Sequence, residues 1–324
     1  MRQPTRNPQG RPKTVPFIPT TDADRAQMLR LIGVDDIASL FSDVPSAKRF
    51  PELKLPAGLS EYEVLSEVEA LSKKNLSADG RPWFLGAGAY NHFIPSVVPA
   101  LASRGEFLTA YTPYQPEVSQ GTLQAIFEYQ SMAAELLGMA VVNASHYDGA
   151  TALAEAVLMA FRIDESKSRI LVPADLHPEY KGVLATYLSS FDATMVEYEG
   201  SPESAPVDDR TACLVAGYPT FSGEVYPLAG AARRAHEAGA LFIVHADPIL
   251  CAILESPGAQ GADIVAAEGQ SLGNPMNFGG PFLGMMGVTE KLMRKMPGRI
   301  VGEASDHDGR RGFVLTLTAR EQHI

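Results

Sequence analysis

Asp247 and the turn Asn143–Thr151 are the two features of this sequence best placed for chemistry. Asp247 closes the apolar run Leu241–Ala246, which reads as a strand. Its carboxylate therefore stands at the carboxyl edge, where open α/β sheets bind ligands. A carboxylate there can keep a pyridinium nitrogen protonated in a pyridoxal-phosphate enzyme. That chemistry also needs a lysine for the Schiff base, usually a few tens of residues further on. Lysine is absent from Gly182 through Glu290, and Gln270 stands where it would fit. The turn reads Asn-Ala-Ser-His-Tyr-Asp-Gly-Ala-Thr, between a strand and a helix. Free amides at a helix start favour an anion. Gly149 admits close approach of the backbone, and Ser145 or Thr151 adds a hydroxyl. Ordinary capping explains the same turn more simply, with Asp148 accepting amide bonds from the first helical turn.

Two further stretches carry more polar aromatics than packing needs. Gly86–Pro95 holds Tyr90, Asn91 and His92, and Tyr111–Gly121 holds Tyr111, Thr112, Tyr114, Gln115 and Glu117. Such clusters on loops suggest a binding surface. Two rigid loops whose prolines set turns account for them equally well. Other signatures fail. Gly86–Asn91 lacks the third glycine of a dinucleotide site, and no Gly-x-x-x-x-Gly-Lys or Gly-x-Ser-x-Gly occurs. His236-Glu237 has no second histidine four residues on, so it is read as a solvated helix face. No metal site is expected.

The elements that must position these residues form a rhythm of strands and helices from about residue 80. Helices are expected at 121–138, 149–163, 178–191 and 227–239. Strands are expected at 140–145, 169–175, 194–199, 211–218, 241–246, 263–267 and 282–288. The strands are continuous apolar runs rather than alternating ones, which implies burial on both faces and a mostly parallel sheet covered by helices. Before them, Thr21-Asp22 opens a helix with Met28, Leu29, Leu31 and Ile32 as its stripe, and a short one follows at Ile37–Phe41. Ser60 caps a third helix carrying Tyr62, Leu65, Val68 and Leu71 at helical spacing. Residues 22–79 read as a helical arm and 1–21 as a basic, proline-rich disordered tail. The expected α/β large domain is 80–300. Residues 301–324, with a turn at Asp306–Gly309 and a returning strand at Gly312–Thr318, read as the start of a small C-terminal domain whose remainder is absent.

Composition narrows the classes. The 324 residues suggest about two domains, and 45% hydrophobic content excludes wholesale disorder. A formal charge of −11 argues against nucleic acid as the main partner. No apolar run is long enough to span a bilayer, and no secretory leader is evident. Cys213 and Cys251 sit in apolar surroundings without metal or redox spacing, which reads as reduced thiols of a cytoplasmic protein.

In order along the chain, several strings resemble the P-protein family of the glycine cleavage system (glycine decarboxylase), most closely the first, or alpha, subunit of its two-chain form. They are Phe17-Ile18-Pro19, Tyr90-Asn91, Thr112–Glu117, Asn143-Ala144-Ser145 and Gln270–Gly273, then Phe278–Pro281, Met296–Arg299 and Arg320–Ile324. The resemblance implies an aminotransferase-like pyridoxal-phosphate fold of type I. It also implies that Gln270 replaces the lysine borne by a catalytic beta partner, on which pyridoxal phosphate is covalently held. Glycine would lose carbon dioxide there, and the aminomethyl group would pass to the lipoyl arm of H-protein. Tyr90, Asn91, His92, Tyr111, Thr112, Tyr114, Gln115 and Glu117 would then line an interface or the substrate, and Asp148, Gly149, Thr151 and Asp247 would be remnants of a cofactor site. Two other readings stand beside this one. A self-sufficient pyridoxal-phosphate enzyme would borrow Lys181 or Lys291, and a structural or regulatory scaffold would add no pocket residue.

Overall fold

The computed structural model describes residues 19–51, 54–77, 80–108, 111–276 and 282–317. The strings Phe278–Pro281 and Arg320–Ile324, and nearly all of the basic tail, lie outside the described residues. The chain divides into two compact units, Met1–Leu76 and Ser77–Ile324.

The first unit holds α1 (Asp22–Ile32) and α2 (Glu61–Ser72), with short 3-10 turns at Ile37–Phe41 and Ser46–Lys48. Both helices begin at capping boxes, Thr21 with Asp24 and Ser60 with Glu63. In each box the side chains satisfy amides that the first turn leaves free. Neither helix buries a single residue.

The second unit opens with two short helices, α3 (Val97–Ala102) and α4 (Gly105–Leu108), followed by the long α5 (Pro116–Leu137). Then come β1 (Val141–Val142), α6 (Gly149–Ile163), β2 (Arg169–Pro173), α7 (Pro178–Leu188), β3 (Thr194–Tyr198), β4 (Thr211–Tyr218) and α8 (Ala229–Glu237). The last elements are β5 (Leu241–Ala246), β6 (Ile264–Glu268), β7 (Gly284–Val288), β8 (Ile300–Ser305) and β9 (Arg311–Thr316). Seven strands form one sheet in the order β1-β7-β6-β5-β4-β2-β3. Pairs among β3, β2, β4, β5 and β6 are parallel, and β7 runs antiparallel to both its neighbours.

Alternation along β5 sends Ile243 to one face and Phe242 and Val244 to the other, as the strand period requires. α6 and α7 cover the first face, and α5 and α8 cover the second. α6 buries Ala152, Leu153, Ala156, Val157 and Met159 among others, so its start is fixed by the core. The β8–β9 hairpin packs Val301 and Phe313 on Leu123 of α5. Two glutamines of α5 clamp it, because Gln120 and Gln130 each pair their amide with both backbone groups of one residue, Phe313 and Val301.

Expected and observed elements differ most in two places. α5 starts at Pro116, not near Gly121. Proline suits a first helical position, and the chain absorbs the early start through non-helical torsions at Ser119. The strand expected over 140–145 pairs regularly only at Val141–Val142. Beyond it the Asn143 amide still donates to the Met286 carbonyl of β7, but the Ala144 amide turns to the Arg299 carbonyl, and the chain rejoins β7 at His146.

Candidate functional site

The strand order reverses between β2 and β4: from β2 the chain moves outward to β3, and from β4 it moves the other way to β5. Ligands of open α/β sheets settle at the carboxyl side of such a switch. A cavity of about 90 Å³ lies there, lined by Asp175, His177 and Tyr180 after β2, Phe221 after β4, His245 and Asp247 at the end of β5, and Glu268 and Gln270 at the end of β6. Tyr90 reaches it from the loop before α3. Among the described residues no lysine lines it.

Gln270 is buried, and all of its amide is used. Its Oε1 accepts from the Tyr90 amide at 3.2 Å, and its Nε2 donates to the Tyr90 carbonyl at 3.3 Å and the Asn274 carbonyl at 2.7 Å. The side chain acts as a strand-like partner for Tyr90. A lysine, which only donates, would leave the Tyr90 amide unpaired.

At the start of α6, Asp148 forms a capping box with Thr151, its Oδ1 accepting the Thr151 amide at 2.7 Å. The Gly149 amide donates to Glu268 Oε2 at 2.8 Å. Glu268 Oε1 accepts from the Gln270 and Leu283 amides at 2.9 and 3.0 Å. Burial pushes the Glu268 carboxyl up, against the pull of those three amides. Asp247 Oδ1 accepts from the Ile249 and Leu250 amides at 2.8 and 3.2 Å, capping the turn after β5.

His177 opens α7. Its Nδ1 accepts the Glu179 amide, so the other ring nitrogen carries the proton and donates to the Ala87 carbonyl at 3.0 Å. Tyr180, three residues on, stacks on His177 with centroids 5.1 Å apart and meets His245 edge-on at 4.7 Å. Burial, with His177 close by, pushes the His245 imidazole down to about 4. Its Nε2 is shut off from solvent and has no hydrogen-bond partner among the described residues.

The residues singled out from sequence thus separate. Gln270, Asp247 and Tyr90 share the cavity, and Gly149 reaches it through Glu268. Asn91 is exposed and His92 half-buried, and neither lines the cavity. The stretch Tyr111–Glu117 lies outside its lining. There the Tyr114 hydroxyl accepts from Arg299 Nη2 at 2.7 Å, with the guanidinium 5.5 Å from the ring centre. Thr112 is half-buried, Tyr111, Gln115 and Glu117 are exposed, and Gln115 and Glu117 sit at the start of α5. Lys181 is engaged by Glu197 and the Ala174 carbonyl, and Lys291 by Asp263, and neither is among the residues that line the cavity. Sequence reasoning missed Glu268, His177, Tyr180 and His245. For His245 a signal existed, since it lies on β5 two residues before Asp247, at the strand's carboxyl edge. No group of three metal-ligating side chains occurs among the described residues, and none of their helices is long and apolar enough to cross a membrane.

Comparison with known proteins adds three findings. The profile of the family described as glycine cleavage system P-protein matches residues 15–324. The chain is 51% identical over 316 residues to a probable glycine dehydrogenase (decarboxylating) subunit 1 of Desulforamulus reducens, covering 95% of this chain and 71% of that one. A relative of the same description from Thermomicrobium roseum is 48% identical, with 95% and 70% covered. Among solved structures, an inhibitor-bound glycine decarboxylase (P-protein) of the glycine cleavage system superposes with a TM-score of 0.86 at 47% identity, over 93% of this chain and 69% of that one. A sphingosine-1-phosphate lyase of Burkholderia pseudomallei, 16% identical with a TM-score of 0.52 over 85% and 68% of the two chains, shares the fold alone.

Proposed function

The chain belongs to the glycine cleavage system P-protein family and has its aminotransferase-like pyridoxal-phosphate fold of type I; from that premise we propose that it is the subunit without a Schiff-base lysine. In this reading it completes glycine dehydrogenase (aminomethyl-transferring, decarboxylating) beside a catalytic beta partner. Pyridoxal phosphate is held covalently by that partner, where it supplies the electron sink for release of carbon dioxide from glycine. The lipoyl arm of H-protein receives the aminomethyl group. We place the assembly in the prokaryotic cytoplasm, in keeping with two buried free thiols.

The observation that carries this reading is Gln270, buried at the tip of β6 and bonded on every side of its amide, in a cavity without a lysine. An amide cannot condense with an aldehyde. This chain's task then lies at its surface. Tyr111, 86% exposed, with Gln115 and Glu117 beside it, offers hydroxyl, amide and carboxylate groups from a loop that Tyr114 and Arg299 hold in place. Tyr90, Asn91, His92 and Thr112 belong to the same set of candidates for orienting substrate or the lipoyl arm. The self-sufficient alternative finds no support, because Lys181 and Lys291 are paired elsewhere.

Exchange of glycine's carboxyl carbon with labelled bicarbonate tests the reading. It is expected when this chain, the lysine-bearing partner and H-protein are mixed, and absent when this chain is given only H-protein and cofactor. Exchange in the second mixture overturns the assignment.

A further inference from the structure

We propose that this chain closes its own pocket to pyridoxal phosphate with its own side chains: Glu268 fills the anion seat, the Tyr180 ring fills the slot between two imidazoles, and Gln270 ties the lysine's position to the Tyr90 loop. The inference rests on the reading that the partner carries the cofactor, and it explains why this chain's copy of the site does not.

The anion seat is the start of α6. A phosphate bound there needs the amides that a helix leaves free in its first turn. The Gly149 amide is given to Glu268 and the Thr151 amide to Asp148. An incoming phosphate would therefore lose two donors and face two carboxylates. Glu268 is not free to withdraw, since its other oxygen bridges the amides of Gln270 and Leu283. Gly149 permits this plug. A Cβ at that position would come within 2.9 Å of the Glu268 Cβ and 2.7 Å of the Tyr180 hydroxyl.

The slot beside the seat is filled as well. His177 and His245 present aromatic faces that could flank a planar ligand, yet Tyr180 already stacks on the first and meets the second edge-on. Its hydroxyl ends against Gly149, so one phenol spans the space between the imidazoles and the helix start. The cavity that remains, about 90 Å³, is well below the roughly 300–1,000 Å³ of pockets for ligands of cofactor size. It has room for water, which needs only about 10–15 Å³, beside the unpaired His245 Nε2. Asp247, the carboxylate that would meet a pyridinium, is bonded to the turn behind it. The Gly149 and Thr151 amides, Glu268 and the Gln270 amide are thus already engaged within the chain. Restoring the lysine alone does not rebuild the site.

The experiment uses the full chain without its partner in five forms: wild type, Gln270→Lys, Glu268→Ala, the double variant, and a triple variant that adds Tyr180→Ala. Each is melted in millimolar phosphate and in chloride of equal ionic strength, then incubated with pyridoxal phosphate and treated with borohydride. Wild type and Gln270→Lys should melt alike in the two salts and take up no cofactor. Glu268→Ala should melt below wild type and be restored by phosphate, with phosphate affinity at least about tenfold above wild type. The double variant, with Tyr180 still in the slot, should form no adduct, and the triple variant should form a borohydride-reducible adduct at position 270. Glu268→Gln, which keeps the volume in the seat, should show no phosphate rescue. If Glu268→Ala does not fold, Glu268→Ser is put through the same comparison. A folded Glu268→Ala or Glu268→Ser that ignores phosphate overturns the inference. Non-covalent uptake of pyridoxal phosphate by wild type overturns it too, and leaves the division of labour intact. A reducible adduct on wild type defeats instead the reading beneath it.

Discussion

The pocket at the tips of β2, β4, β5 and β6 and the helical arm of α1 and α2 meet their needs in opposite ways. In the pocket nearly every polar group finds a partner inside the chain: Glu268 holds three amides, Gln270 both backbone groups of Tyr90, and Asp247 its own turn. In the arm no helical residue is buried, and Leu31 is 87% exposed while Leu65, Val68 and Leu71 are each more than half exposed. Within the second unit the stretch before α5 behaves like the arm, with Phe84 at 92% and Phe93 at 89%. The pocket's polar groups are thus largely satisfied within the chain, while the apolar side chains of the arm are left exposed.

The contrast breaks most readily at α2. Leu65→Asp combined with Val68→Asp removes two apolar side chains, each worth about 1.5–3 kcal/mol when buried. Assembly with the partner chain should weaken by more than about a hundredfold, and carboxyl exchange should fall with it. The melting of the α/β unit should stay within about 0.5 kcal/mol, as for surface substitutions. Analytical ultracentrifugation and calorimetry check both halves, and unchanged assembly would make the exposed stripe irrelevant to partner binding.

His245 sharpens the pocket side. Its imidazole titrates at about 4 in the folded protein, against 6.5 ordinarily. As pH falls the unfolded chain takes up the proton first, so stability is full above about 6.5 and declines until about 4. The loss is of the order of 3 kcal/mol. Denaturation between pH 7 and 4 should show a shallower decline in His245→Phe, which cannot take up a proton. Parallel curves would place the buried imidazole outside the acid response.

A smaller effect is expected of Gln270→Met, which keeps the volume but leaves the Tyr90 backbone and the Asn274 carbonyl without their partner. The cost should be about 1–3 kcal/mol, with faster hydrogen exchange confined to the Tyr90 loop. Uniform loss of protection would mean that Gln270 supports the core and not the loop.

The smallest is Tyr114→Phe. The ring keeps its guanidinium contact and loses the hydroxyl that accepts from Arg299, for about 0.5–1.5 kcal/mol. Carboxyl exchange per folded complex should hardly change. A fall in turnover well beyond the folded fraction would instead assign that hydroxyl to the substrate.

What the sequence made legible follows the range of the interactions. α6 and the strands β4 and β5 are continuous apolar runs bounded by turn residues, and they stand where periodicity places them. The lysine gap around Gln270 is plain in one dimension, and so is the cap at Asp148. The plug is not. Gly149 and Glu268 are 119 residues apart, and Tyr90 and Gln270 are 180 apart, so nothing local to either hints at the bond. β1 is short for the same reason: from Ala144 its backbone is drawn to Arg299 by pairing that no run of apolar residues encodes.

The central claim is that the cofactor's chemistry belongs to the partner and that this chain carries none. Borohydride reduction of the assembled, glycine-competent complex, followed by peptide mapping of every lysine, tests it most directly. The expected result is a pyridoxyl label on the partner chain alone, in step with loss of carboxyl exchange. A stoichiometric label on any lysine of this chain would contradict it.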